Sequence, residues 1–198
     1  MSYKTNYIVP DMQNAQHEDK IAQILRTALM VKCNWLQYCL CMIHKMPITG
    51  LDSSDKKTTK DYPIYYPVLQ SKDYRVITPD NECQAIGFFT LNSDPEYLLN
   101  DEGVKYDMSF ICWYNQQAIT NVIYEDITNG LINEVIKVLK YNACDGIKKT
   151  VDFSNIFDYS GIDLKTVSML GNNFKAFKIT FNYYQSECYE EFSQMSFT

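Results

Sequence analysis

The sequence predicts an α+β domain: a mostly antiparallel sheet packed by a long N-terminal helix and a second helix. Three observations carry this. From Ala15 to His44, apolar residues recur at three- and four-residue steps (Ile21, Ile24, Leu25, Ala28, Leu29, Trp35, Leu36, Cys39, Leu40, Ile43), and no Gly or Pro interrupts them. Over residues 177–184, Phe177, Ile179, Phe181 and Tyr183 alternate with Lys178, Thr180, Asn182 and Tyr184, the period of a strand with one buried face. Over residues 108–115 both alternating sets are apolar, which reads as a central strand covered on both sides. The 198 residues suit a single α+β domain. With 46% hydrophobic and 21% charged residues, disorder across the whole chain is excluded.

In chain order, residues 1–14 are polar and read as an extended arm. The first helix covers 15–44, and Pro47 with Gly50 stops it. Residues 45–67 read as a loop insertion. Its stretch 51–62, LDSSDKKTTKDY, has no apolar anchor, and its aromatic end IYY lies between Pro63 and Pro67. Arg75 to Thr78 is a candidate short strand. Gln84 to Leu91 is a strand with Gly87 as a candidate bulge. Residues 92–106 have turn chemistry. The second helix covers about 124–141, with Ile127, Leu131, Val135, Val138 and Leu139 as its stripe. Residues 144–172 read as an irregular loop insertion with its own apolar anchors, Phe153, Phe157 and Leu164 among them. Residues 185–198 form an acidic, aromatic tail.

The net charge of -6 makes this chain a poor binder of nucleic-acid backbone, which needs clustered Lys and Arg. The charge is uneven. Residues 61–130 carry 3 basic and 11 acidic groups, whereas residues 1–60 carry 8 basic and 5 acidic. Asp94, Glu96, Asp101, Glu102 and Asp107 concentrate the acid. Seven cysteines at irregular spacing, with no apolar leader in the first ten residues, point to free thiols in a reducing compartment. No apolar run is long enough to span a membrane.

The chemistry-bearing residues do not form a catalytic pattern. There is no Walker loop, GxGxxG, GxSxG or HExxH. His17 and His44 are the two histidines, and His44 falls at the expected end of the first helix. On a helix, Cys39 and Cys41 would diverge by about 200°, so they would not converge on a metal with His44. The expectation is no enzyme, no cofactor and no metal. An excess of aromatic residues, 16 Tyr and 10 Phe with Trp35 and Trp113, points instead to protein contacts.

The order of elements resembles the tail-terminator and tail-completion proteins of tailed bacteriophages. The residues that carry the likeness are the helix at 15–44, the strand MSFICWYNQQAI followed by the helix YEDITNGLINEVIKVLK, and the closing strand FKAFKITFNYYQ. The Asn-, Lys-, Ile- and Tyr-rich style is similar to that of crAss-like phages, whose short tails stack ring proteins below the portal. The resemblance implies a virion structural protein, assembled in the host cytoplasm, that forms a neck or tail ring of six or twelve subunits. Its neighbours would be portal, adaptor and tail ring proteins, with no membrane contact. DNA would pass through the ring without sequence-specific binding, past a channel lined by Asp94, Glu96, Asp101, Glu102 and Asp107. The alternatives are a small phage-encoded protein that binds and inhibits a host protein, and an enzyme built on a carboxylate site.

Overall fold

The computed structural model describes residues 17–51, 56–67, 73–79, 83–98, 103–120, 126–151, 156, 159, 162 and 174–186. Among them 50% are strand and 28% helix, so the chain is mixed α/β with sheet predominating. The elements run α1 (His17–Lys32), β1 (Tyr38–Met42), β2 (His44–Leu51), β3 (Lys57–Tyr65), β4 (Arg75–Val76), β5 (Ala85–Leu91), β6 (Glu96–Leu98), β7 (Gly103–Asn115), α2 (Gln116–Thr120), α3 (Thr128–Tyr141), β8 (Asp145–Thr150) and β9 (Phe174–Ser186). The main sheet has the order β1-β5-β7-β9-β8, with β6 paired to the N-terminal end of β7. Only the β1–β5 pairing in it is parallel. A smaller antiparallel sheet has the order β2-β3-β4.

The central strand β7 sorts its side chains by parity. Tyr106, Met108, Phe110, Cys112 and Tyr114 enter one core, while Ile111 and Trp113 enter another. The first core is closed by α1 (Ile21, Ala22, Leu25, Leu29) and α3 (Leu131, Ile132, Val135, Leu139), so both helices cover one face, as expected. Phe177 sits at its centre, with ring centroids 6.0–6.5 Å from those of Trp35, Phe110 and Tyr114. The second core joins Ile86, Phe88, Ile111, Trp113, Phe174 and Ala176 of the main sheet to Tyr65, Ile77, Ile156, Tyr159 and Ile162. There Phe88 meets Trp113 edge to face at 4.9 Å. Trp35 and Trp113 are therefore core residues and do not supply the exposed contact surface expected of them.

Several further expectations are corrected. The first helix ends at Lys32, not His44. Cys33 closes it by donating to the Leu29 carbonyl, and a turn at Asn34 and Trp35 leads into β1. In β1, Cys39 and Cys41 face the helices and Leu40 faces the second core. A strand buried on both faces matches the spacing of a buried helix, so periodicity could not separate them. Likewise His44 opens β2, its ring 5.6 Å from that of Tyr66, and does not end a helix.

Segment 45–67, read as a loop, is mostly the β2–β3 hairpin, with His44 opposite Ile64 and Leu51 opposite Lys57. Its charges lie on solvated strand surface: Lys45 pairs with Asp61 at 3.7 Å, and the Thr49 and Thr59 hydroxyls are 2.9 Å apart. Segment 144–172 begins with an edge strand, β8, and buries Ile156, Tyr159 and Ile162 in the second core. Gly87 is not a bulge, since it pairs in register with Cys39 and Cys112. It is small because Phe110 lies over it. The arm 1–14, the tail beyond Ser186, Phe153, Phe157 and Leu164 fall outside the described residues.

The start of α3 is tied to the sheet by a polar chain. Asp126 accepts hydrogen bonds from the Thr128 hydroxyl and from its backbone N–H, the latter at 2.9 Å, and pairs with Lys175 of β9 at 3.2 Å. The Thr128 hydroxyl also meets the Tyr114 hydroxyl of β7 at 2.6 Å. The hydrogen bonds from Thr128, followed by Lys175, hold the Asp126 carboxyl down at about 2. A carboxyl depressed in the folded state stabilises the fold above its ordinary value of 3.8 and loses that contribution as pH falls toward 2. Thermal melts of Asp126→Asn should therefore lie below wild type at pH 6 and converge with it near pH 2. A second expectation concerns Gly87. A Cβ there would lie 2.5 Å from Phe110 Cζ and 2.6 Å from its Cε2, so Gly87→Ala should cost about 1–3 kcal/mol in a denaturant melt.

Candidate functional site

The main sheet's face away from the helices is divided. One half is the second core. The other half carries Thr90, Asn92, Asp107, Ser109, Lys178 and Thr180, and opens as a polar cleft of about 550 Å³. Lys45 of β2 and Tyr159 form its far wall, with the Lys45 ammonium 6.0 Å from the Tyr159 ring centre. At the cleft floor, Asn92 Nδ2 donates to Asp107 at 2.7 Å, and the buried Ser109 hydroxyl donates to Asn92 Oδ1 at 2.9 Å. The Thr180 hydroxyl lies 3.2 Å from Ser109 Oγ. This network orients hydroxyl, amide and carboxylate groups. The Ser109 bond to Asn92 is not one to a base, so it does not activate the oxygen for attack.

The network exists because the first arm of the β5–β7 hairpin is interrupted. Leu91 pairs with Met108, but Glu96 pairs with Lys105, so two extra residues lie between them. The irregular stretch aims Asn92 back across the strand, where its backbone N–H bonds the Asp107 carbonyl at 2.9 Å.

Of the acidic residues singled out from the sequence, Asp94, Glu96 and Asp107 come together at this end of the sheet, and Asp101 and Glu102 lie outside the described residues. Glu96 is bonded to Lys105 at 3.1 Å, and Asp107 is held by Asn92. Asp94 is exposed. Sequence reasoning missed Lys105 and Asn92 as their partners. The signal was the strand pairing itself, which sets Glu96 opposite Lys105 nine positions along the chain.

A second concavity lies between α1 and α3. It is an apolar groove of about 660 Å³ lined by Ile24, Ala28, Val31, Val138 and Tyr141, with Lys32, Glu134 and Lys137 at its rim. Val31 is 67% exposed and Tyr141 92%. The two helices are tied beside the groove, where Trp35 Nε1, just past α1, donates to Glu134 near the middle of α3 at 2.8 Å.

The chain matches no protein-family model, no curated protein and no solved structure.

The described cysteines, Cys33, Cys39, Cys41, Cys83, Cys112 and Cys144, are free thiols and buried. Burial pushes Cys33 and Cys41 up to about 11 and Cys144 up to about 12, and raises Cys39 and Cys112 well above the ordinary thiol range. Cys39 and Cys41 share a strand face, in contrast to their divergence on a helix. Even so, among the described residues no group of three or more His, Cys, Asp or Glu side chains could hold a metal ion. No described helix is long and apolar enough to cross a membrane. A buried protonated thiol is a poor nucleophile. In native protein at pH 8 these six should therefore react with an aromatic disulfide reagent only at the rate of unfolding, and all at once in denaturant. Rapid labelling of Cys39 or Cys112 in native protein would contradict this.

Proposed function

We propose that the chain is a virion structural protein that forms a ring in the neck or tail of a tailed bacteriophage, joining the portal and adaptor to the tail rings and continuing the DNA channel. The observation that carries this reading is the exposed apolar groove between α1 and α3. Apolar side chains held in a preformed concavity, with charged residues at its rim, make a contact surface for another protein. The element order supports the same reading. A helix, the β5–β7 hairpin, a second helix on the same face and the closing strand β9 follow one another as in tail-terminator proteins.

In this reading the work is geometric and not catalytic. Identical subunits close a heterologous interface into a ring. Asp94 and Asp107, with Asp101 and Glu102 in the adjoining sequence, are turned toward the channel. Carboxylates there leave passing DNA its counterions, whereas lysines would hold its phosphates. The test is the composition of purified virions. Mass spectrometry should find the protein in six or twelve copies per particle, and electron microscopy should place it below the portal. Virions that lack the protein would overturn the reading.

A further inference from the structure

The main sheet is open at both sides. The strand order ends at β8 on one side and at β1 on the other, where β6 lies off the path and, among the described residues, nothing pairs with its outer edge. The two edges carry opposite charge. On the β6 side, Glu96 lies on β6 itself and is bonded to Lys105 of β7, and the exposed Asp94 comes just before it. The β8 side bears Lys148 and Lys149, with Lys140 just before it and Lys178 on the neighbouring strand, against Asp145. Two copies joined β8 to β8 would set lysines against lysines, and two joined β6 to β6 would set carboxylates against carboxylates. Like charges opposed across a strand pair are unfavourable. The complementary union is head to tail, β6 of one copy with β8 of the next.

We propose that this union is the seam between ring subunits, continuing the sheet from one copy into the next; it rests on the ring reading above and names the surfaces that make it. Strand directions fit. β6 is antiparallel to β7, β7 to β9, and β9 to β8, so β6 and β8 run in opposite senses within one chain. A rotation about an axis along the strands preserves those senses, so the seam is an antiparallel pair under cyclic symmetry.

The side chains select a register. Glu96 lies opposite Lys105, on the face that carries Asp107 and Ser109. Lys148 lies opposite Thr180 on that same face, since Thr180 contacts Ser109. Ile147 packs on the helix-side core, and Tyr97, 72% exposed, points to that side. Pairing Glu96 with Lys148 therefore sets Tyr97 opposite Ile147. One step along β6 and β8 then gives an opposite-charge pair on one face and an aromatic–β-branched pair on the other, both favourable cross-strand combinations.

Charge reversal tests the seam. Glu96→Lys gives a chain with two basic edges, and Lys148→Glu gives one with two acidic edges. Native mass spectrometry should show wild-type multimers larger than dimers, and association weakened at least about tenfold in each variant alone. Mixing the two variants should restore rings of alternating chains, and so should Glu96→Lys with Lys148→Glu in one chain. Thermal melts report folding, which should hold because the exposed Glu96–Lys105 pair lost in the first variant contributes little. Multimers that persist unchanged in both variants overturn the seam and leave the ring reading standing. So do reversed variants that remain folded but are not rescued by mixing. A wild-type chain that stays monomeric at every concentration overturns the seam as well, and the ring reading is then decided by virion composition alone.

Discussion

The β7–β9 pairing is the constraint from which the other placements follow. Thirteen consecutive residue pairs, from Gly103 with Ser186 to Asn115 with Phe174, lock the two strands in one register. A slip of one residue would move Phe177, Ile179 and Phe181 from the helix-side core onto the opposite face and bring Lys178 and Thr180 into the core. Such a slip would bury a lysine among apolar side chains, and that cost excludes it. With this register set, the even residues of β7 offer α1 and α3 their floor, and the odd residues divide the far face into an apolar and a polar half.

The parts of the fold legible in the sequence are those where one face is buried and the other wet. β9 and α3 were readable for that reason: Lys178 between Ile179 and Phe177, or Glu134 between Ile132 and Val135, marks the boundary of the core. β1 was not readable, because Cys39, Leu40 and Cys41 are buried on both sides and their spacing satisfies helix and strand alike. The β2–β3 ribbon failed for the opposite reason. Its charged and hydroxyl residues, Lys57 to Asp61, pair as strands with little burial, so hydrophobic pattern carried no information. The concentration of acid near Asp94 and Asp107 was visible, yet its neutralising partners depend on the two-residue interruption after Leu91, which no local pattern announces.

The small sheet is held in the crossover between two parallel neighbours. β1 and β5 lie side by side, and β2, β3 and β4 occupy the chain that connects them. Parallel neighbours require a connection that returns the chain to its starting end. Here that connection also roofs the second core through Tyr65 and Ile77 and supplies Lys45 to the polar cleft. The same stretch therefore closes the core and shapes the one polar cleft described beside it.

The β7–β9 pairing also imposes an order of events on the ribosome. Residues 116–173 separate the two strands, so β7 emerges 58 residues before its main partner. At about 5–20 residues per second, that leaves β7 without β9 for roughly 3–12 s. Through that interval its second edge is open, and its run of apolar residues from Phe110 to Trp113 lacks cover. An unpaired apolar edge recruits other chains. The nascent protein thus passes through a window in which the strand that later anchors the sheet is exposed along one edge, and a higher local concentration of nascent chains in that window raises the odds of mispairing.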